Sequence, residues 1–281
     1  MKFSFGLLCA CLVLPVSAAD RTASPDVPGP SPGPLQSFTV NQERGGFEPP
    51  LTENEPVYFV MGTRGGTTGR FQLSFKYRLF DQALGWGREQ PWLSGFYLGY
   101  TQASLWNLSG DSKPFRDTSY RPSLFWAWER IDAKTWIDAL RAGYEHESNG
   151  KDGASSRSID TLFLRPEWRW DHADGRRLEF TPKLYGYLDK EDNPDIQRYR
   201  GYVDWRLRYG HAQRSWVAMA RTGTAGKGSL TLDFFERTRV LGFGPVSGYF
   251  HVQFFAGYGE DILDYNLRRK SQLRLGFAIV P

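Results

Sequence analysis

The chain has 281 residues, a formal net charge of +4 and aromatic side chains at 16% of its positions. Its mean hydropathy is −0.50, and no apolar run after residue 19 approaches the ~18 residues of a membrane helix, which excludes a helical membrane protein. Basic and acidic residues are interspersed rather than clustered, so the sequence gives little support for binding to nucleic acid.

The N-terminal region predicts export. Residues 1–19 have the pattern of a secretory signal peptide, with Lys2 before an apolar run and small residues at the end. The only two cysteines, Cys9 and Cys11, lie inside it, so the mature chain is expected to have no disulfide and no thiol chemistry. A lipoprotein anchor on Cys11 is the weaker alternative, because the apolar run before it is short. Residues 20–56, rich in Pro and Gly, predict a mobile N-terminal arm.

From Val57 onward the hydrophobic pattern has period two. Leu73 and Phe75, for example, alternate with Ser74 and Lys76. Strict alternation over such lengths predicts β-strands rather than helices. About twelve strands are predicted, near residues 57–63, 69–80, 91–106, 115–130, 134–148, 160–171, 176–190, 196–210, 213–223, 228–238, 247–259 and 270–280.

The length and number of these segments favour a membrane barrel. Many reach ~10 residues, which is the length that a tilted membrane strand needs, and twelve is even, as single-chain bacterial barrels require. Trp168, Trp170, Trp205 and Tyr258 at strand ends fit aromatic girdles. The alternative is a soluble β-sandwich, whose strands are usually shorter. We therefore predict an all-β, twelve-stranded antiparallel transmembrane β-barrel over residues 57–281.

Two neighbouring segments carry residues that could form a catalytic triad. His146 and Ser148 lie two residues apart, and Asp160 follows on the next predicted strand. A hydroxyl, an imidazole and a carboxylate can act as nucleophile, base and orienting group. All three share the parity of the apolar, lipid-facing side chains of their strands. A single outward-facing His or Ser is ordinary at the end of a strand, but three such polar residues together predict a catalytic site on the outer wall.

These stretches resemble the signature of the outer membrane phospholipase A family. The resemblance lies in residues 144–150 and 156–158 and extends from about Val57 to the C-terminus, with further agreement at residues 100–102, 114–118, 192–195 and 257–260. It implies a twelve-stranded barrel in the Gram-negative outer membrane. It also implies calcium-dependent hydrolysis of acyl esters in phospholipids and lysophospholipids, with A1 and A2 activity.

The resemblance also implies roles for individual residues. Ser148 would be the nucleophile and His146 the general base. Asp160 stands where the best-known relatives have Asn, and Asp is the usual orienter of a catalytic imidazole. Gln102 would support the orienter. An equally good interpretation is that Gln102 is an ordinary polar residue at the rim of a strand.

Calcium ligands and an oxyanion donor follow from the same resemblance. The backbone N–H of Gly150 and calcium-bound water would stabilise the oxyanion. Calcium would bind the carbonyl of Lys151, the hydroxyl of Ser156, and Ser112 of a second subunit, because family members act as homodimers. Asp192 matches a secondary calcium site, with a simple turn as the alternative.

A non-enzymatic outer-membrane barrel, either a pore or a structural protein, is the competing hypothesis. The charges predicted to face the lumen favour a filled interior over an open pore, and twelve strands leave only a narrow lumen. They are Arg141, Glu145, Glu147, Arg165, Glu167, Arg169, Arg206 and Arg208. A third hypothesis is a barrel whose triad no longer has a catalytic use. It stays open because Asp160 stands where the best-known relatives have Asn.

Overall fold

The computed structural model describes residues 49–63, 65–81, 84–130, 135–242 and 247–281. The predicted signal peptide and residues 20–48 of the predicted arm lie outside the described residues. Neither helix in the described ranges is long and apolar enough to cross a membrane.

The described residues are mostly strands. The strands are β1 Leu51–Thr52, β2 Val57–Gly62, β3 Thr68–Arg78, β4 Phe96–Asn107, β5 Phe115–Glu129, β6 Ala139–Ser148, β7 Ser158–Asp171, β8 Arg177–Phe180, β9 Lys183–Asp189, β10 Val203–His211, β11 Arg214–Thr222, β12 Gly228–Arg237, β13 Tyr249–Tyr258 and β14 Arg268–Val280. The short helices are α1 Gly85–Glu89 and α2 Gln197–Arg200, with 3-10 turns at Pro91–Gly95 and Gly153–Ser155.

Every strand pairs antiparallel with its neighbours, and the sheet closes on itself. Strand β14 pairs with β2, with Phe277 opposite Phe59. Strands β8 and β9 together form one strand of the wall between β7 and β10, and β1 and β2 both pair with β3. The result is a closed twelve-stranded antiparallel barrel, which confirms the predicted fold.

Three predicted strands begin at least five residues later than the alternation indicated, and one of them, predicted from residue 134, becomes β6 only at Ala139. The segment predicted from residue 91 starts with the 3-10 turn Pro91–Gly95, and the segment predicted from residue 196 starts with α2. Helix α2 ends at Gly201, whose φ is 68° and where a Cβ would lie 2.1 Å from the Thr222 carbonyl oxygen. Only glycine fits this close approach, so the chain turns there before it enters β10.

The two faces of the wall differ as the alternation predicts. On β3, Leu73, Phe75 and Tyr77 are exposed on the outside, whereas Ser74 and Lys76 are buried on the inside. An apolar exterior and a polar interior are the pattern of a membrane barrel, since lipid covers the outer side chains.

The lumen is filled by ion pairs rather than open. The pairs join Glu55 to Arg165 (2.5 Å) and Arg206 (3.1 Å), Glu145 to Lys183 (2.7 Å), Glu147 to Arg200 (2.9 Å), and Asp204 to Arg221 (2.9 Å). They leave a cavity of about 210 Å³. This interior agrees with the predicted filled lumen.

The barrel's packing begins six residues before Val57, within the predicted arm. Leu51 pairs with Tyr77 on β3. The residues after β1 turn inward, and Glu55 accepts hydrogen bonds from Arg165 and Arg206 in the lumen. Local sequence could not predict this, because the partners of Glu55 lie more than a hundred residues away.

The loop between β13 and β14, residues 259–267, packs at one mouth of the barrel, and we call it the cap loop. Its Ile262 is fully buried in a cluster with Ile159, Ile196 and Tyr265. Its Asp264 accepts hydrogen bonds from Arg116 and Arg269. The cap loop lies at the same end of the barrel as the loop between β6 and β7, where the candidate site is found.

Candidate active site

The register between β6 and β7 brings His146 and Asp160 together. The two residues are directly opposite each other, and Ser148 is opposite Ser158. Cross-strand partners point to the same face of a sheet, so their side chains meet. His146 Nδ1 lies 2.7 Å from Asp160 Oδ1, which is a hydrogen-bond distance.

This pair lies on the outside of the barrel. The side chains of His146 and Asp160 are 34% and 27% exposed. The residue between His146 and Ser148, Glu147, points the other way, and its carboxylate accepts hydrogen bonds from Ser119 (2.7 Å) and Arg200 (2.9 Å) in the lumen. The predicted outward parity of His146 and Asp160 is therefore confirmed.

A second hydrogen bond reaches the same carboxylate oxygen. The phenolic hydroxyl of Tyr144 donates to Asp160 Oδ1 at 2.6 Å. Tyr144 lies within the motif of residues 144–150, but the sequence predicted no role for its hydroxyl. The available signal was its position, two residues before His146 on the same face of β6.

Ser148 lies at the end of β6, on the same face as His146. No hydrogen bond joins its hydroxyl to another side chain in the described part of the chain, so the oxygen is not committed to a competing partner. Nucleophile–base hydrogen bonds are often long without substrate and tighten when the substrate binds.

Gly150 begins the turn that follows Ser148. Its φ is +63°, and a Cβ there would lie 3.3 Å from Cε2 of Tyr120. Residues with a Cβ rarely adopt this backbone conformation, so glycine is the residue that lets the chain leave β6 beside Ser148.

Asn149 organises the loop between β6 and β7, residues 149–157, which we call the site loop. Its buried Oδ1 accepts hydrogen bonds from the backbone N–H of Lys151 (3.3 Å) and Arg157 (3.0 Å). Its Nδ2 donates to the Ser155 carbonyl (2.9 Å) and to Asp117 (3.2 Å). Asn149 lies within the motif of residues 144–150, but the sequence alone predicted no role for it.

Asp117 links the site loop to the cap loop. It is buried on β5, and its Oδ2 accepts a hydrogen bond from the Leu263 N–H at 2.9 Å. The ammonium of Lys151 lies 3.3 Å from the other carboxylate oxygen and donates to the Arg116 carbonyl at 2.9 Å. The two loops at this mouth of the barrel are therefore held by one carboxylate.

Two of the predicted calcium-ligand residues meet. The hydroxyl of Ser156 donates to Asp192 Oδ2 at 2.6 Å, and Ser158 donates to the same oxygen at 3.2 Å. Ser112 lies exposed on the loop between β4 and β5, at the same end of the barrel, and makes no hydrogen bond to Ser156 or Asp192.

The donor set at this point is compatible with calcium. Hydroxyl, carbonyl and carboxylate oxygens are the ligands that Ca²⁺ takes. The described ranges contain no group of three acidic, histidine or cysteine side chains suited to a metal ion. A calcium ion here would therefore depend on hydroxyl and carbonyl oxygens, with Asp192 as the carboxylate.

The structure separates Gln102 from the residue that it was expected to support. Gln102 is on β4 and Asp160 on β7, with β5 and β6 between them. Three strand spacings amount to roughly 14 Å, so the two side chains of one chain do not touch. Gln102 instead accepts a hydrogen bond from Tyr100 and donates to Ser104. Within one chain, Tyr144 makes the contact expected of Gln102.

Comparison with known proteins agrees with this geometry. The model of the family described as Phospholipase A1 matches residues 52–279. Phospholipase A1 from Escherichia coli strain K12 is 31% identical over 220 residues, which cover 75% of this chain and 68% of the relative. Phospholipase A1 from Klebsiella pneumoniae is 31% identical over 222 residues, with 75% and 69% covered.

Solved structures give the same result. Outer membrane phospholipase A from Escherichia coli has a TM-score of 0.65 at 25% identity, covering 84% of this chain and 94% of that one. The outer membrane phospholipase dimer of Salmonella typhi with bound calcium also has a TM-score of 0.65 at 25% identity, covering 81% and 91%. The chain therefore belongs to the phospholipase A1 family, and it is an outer-membrane β-barrel enzyme.

Proposed function

We propose that the chain hydrolyses acyl esters of phospholipids and lysophospholipids with Ser148 as nucleophile, His146 as general base and Asp160 as orienting group. The observation that carries the proposal is the 2.7 Å contact between His146 and Asp160 on the outer wall, beside Ser148. An enzyme embedded in its own substrate needs its nucleophile on the lipid-facing side.

The hydrogen bond to Asp160 fixes the roles of the two imidazole nitrogens. With Nδ1–H donated to the carboxylate, Nε2 is available to take the proton of the Ser148 hydroxyl. The serine oxygen then attacks the ester carbonyl, and His146 returns the proton to the departing alcohol. Water activated by the same imidazole releases the fatty acid and restores Ser148.

The oxyanion of each tetrahedral intermediate needs donors beside Ser148. We assign the backbone N–H of Gly150 to this role. The residues that would hold calcium are Lys151 through its carbonyl, Ser156 through its hydroxyl and Asp192 through its carboxylate. When bound, the cation would supply additional positive charge to the same oxyanion.

We further propose that the active form is a homodimer in which Ser112 of one copy completes the calcium site of the other. Support comes from the Salmonella typhi relative, which is a dimer with bound calcium. The apolar outer wall next to the site is a suitable surface for pairing two barrels.

Fatty-acid release from mixed micelles tests the nucleophile. Ser148→Ala should abolish release, while Ser271→Ala, on the outer wall of the distant strand β14, should retain most of it. Parent activity should also fall when calcium is chelated. Unchanged activity in Ser148→Ala would rule out the proposed mechanism.

Subunit complementation tests the dimer. Ser112→Ala and Ser148→Ala homodimers should each be impaired. In a mixed dimer, the copy with an intact Ser148 receives Ser112 from the other copy, so mixing should restore part of the activity. Mixed dimers that form by cross-linking but stay inactive would contradict the proposal.

A further inference from the structure

We propose that Tyr144 is a positioning residue for the catalytic pair and that its phenolic hydroxyl holds the Asp160 carboxylate in place for His146. This inference rests on the proposed function. The supporting observation is that one carboxylate oxygen accepts from two donors. Asp160 Oδ1 lies 2.6 Å from the Tyr144 hydroxyl and 2.7 Å from His146 Nδ1.

The strand register explains why Tyr144 reaches Asp160. Tyr144 is directly opposite Leu162, so Asp160 is its diagonal neighbour on the same face of the sheet. Diagonal neighbours lie within reach of aromatic side chains. The hydroxyl at the end of the ring covers this distance, and no other side chain on the wall is needed to bridge it.

The position of the pair explains why a second donor matters. An ionised carboxylate that faces lipid loses water molecules that would otherwise solvate it, and this loss is costly. The Tyr144 hydroxyl replaces part of that solvation. It also restrains the rotation of the carboxylate, so that one defined oxygen faces the imidazole.

The other groups around Asp160 do not take over this role. Its cross-strand neighbour on β9 is Asp189, whose carboxylate accepts a hydrogen bond from the Glu191 N–H. Asp192, the next acid on that side, binds Ser156 and Ser158. In the described ranges, Tyr144 and His146 are therefore the two side chains that donate to Asp160.

Tyr144→Phe removes the donor and keeps the ring. We expect about a ten-fold fall in kcat/KM, as for loss of a hydrogen bond to a charged group. The fall should lie in kcat rather than in KM, because the hydroxyl orients the catalytic pair and does not touch the substrate.

Two further variants isolate the effect. In an Asp160→Ala background, the same Tyr144→Phe change should have no further effect on kcat, because the hydroxyl has no acceptor left to hold. Tyr100→Phe also removes a phenolic hydrogen bond on this wall, to Gln102, and should leave kcat close to that of the parent.

The outcomes separate this inference from the proposed function. A Tyr144→Phe variant that behaves like the parent, or one that lowers kcat by the same factor in both backgrounds, overturns the positioning role. Either result leaves the nucleophile assignment intact as long as Ser148→Ala is inactive. Activity that survives Ser148→Ala would instead overturn the proposed function.

Discussion

His146 and Glu147 are neighbours in the chain, yet their side chains lie on opposite sides of the barrel wall. His146 meets Asp160 at 2.7 Å on the outside, and Glu147 accepts a hydrogen bond from Arg200 at 2.9 Å in the lumen. Strand β6 thus contributes a partly exposed pair that can take part in catalysis and a buried ion pair that stabilises the wall.

The buried pair should matter for stability. Glu147→Gln leaves the guanidinium of Arg200 buried without its charge partner, which costs roughly 3–5 kcal/mol. Urea unfolding in detergent micelles measures the loss. Glu129→Gln is the matched control, because Glu129 pairs with Arg169 at 3.0 Å but is 61% exposed. The control should lose less than about 1 kcal/mol. Equal losses in the two variants would contradict a structural role for the lumen pair.

Two substitutions of Asp160 test its orienting role, because one keeps a hydrogen-bond acceptor and the other removes it. Asp160→Asn keeps an oxygen that can accept from both Tyr144 and His146, so a good part of the activity should remain. Asp160→Ala removes the acceptor, and the imidazole loses its fixed orientation, so kcat should fall by at least about ten-fold. Fatty-acid release at saturating substrate gives both values. A fully inactive Asp160→Asn would mean that the site is built differently.

The amide of Asn149 should be essential to the site loop. Asn149→Asp has the same shape, but it places a carboxylate oxygen against Asp117 and the Ser155 carbonyl, both of which now accept from the amide nitrogen. We expect a loss of roughly 2–4 kcal/mol in stability and a fall in activity. Asn107→Asp is the control, because the side-chain oxygen of Asn107 accepts from the Ser109 N–H and that acceptor is kept. Similar behaviour of the two variants would contradict the account of the loop.

The cap loop contains a carboxyl group that should lower stability at neutral pH. Burial, with Asp264 and Asp117 nearby, raises the pKa of Asp261 to about 6. The folded state therefore binds its proton more tightly than the unfolded state. The stability that this proton contributes is lost as the pH rises between about 4 and 6.

Asp261→Asn removes this loss. At about pH 8 the variant should be more stable than the parent by roughly 2–3 kcal/mol, and the gap should close near pH 4. Asp264→Asn should have the opposite effect at the higher pH. Although burial acts against it, the hydrogen bonds from Arg116 and Arg269 keep the pKa of Asp264 below its usual value. Unfolding curves of the parent and the two variants across this pH range measure these differences in stability. A destabilised Asp261→Asn at the higher pH would refute the prediction.

The fold was predictable from sequence because each wall strand has two chemically different faces. The alternation of Leu73 and Phe75 with Ser74 and Lys76 predicted β3 without any knowledge of its partners. The same rule failed at α2, where the buried Ile196 precedes a helical turn instead of lying in a strand. It also gave no sign of Glu55, whose partners Arg165 and Arg206 are distant in sequence.

The candidate site was predictable only in part. Parity placed His146, Ser148 and Asp160 on one face, because side-chain direction in a strand is a local property. The contact of Tyr144 with Asp160 depends on the register between β6 and β7, which the sequence did not specify. The separation of Gln102 from Asp160 depends on strand order in the same way.

Covalent labelling identifies the nucleophilic serine directly. A long-chain alkylsulfonyl fluoride reacts with an activated serine oxygen to form a sulfonate ester and release fluoride, and peptide mass spectrometry locates the label. We expect a calcium-dependent label on Ser148, with none on its cross-strand neighbour Ser158 and none anywhere in Ser148→Ala. A label on Ser158, or an enzyme that stays active with Ser148 fully modified, would contradict this assignment.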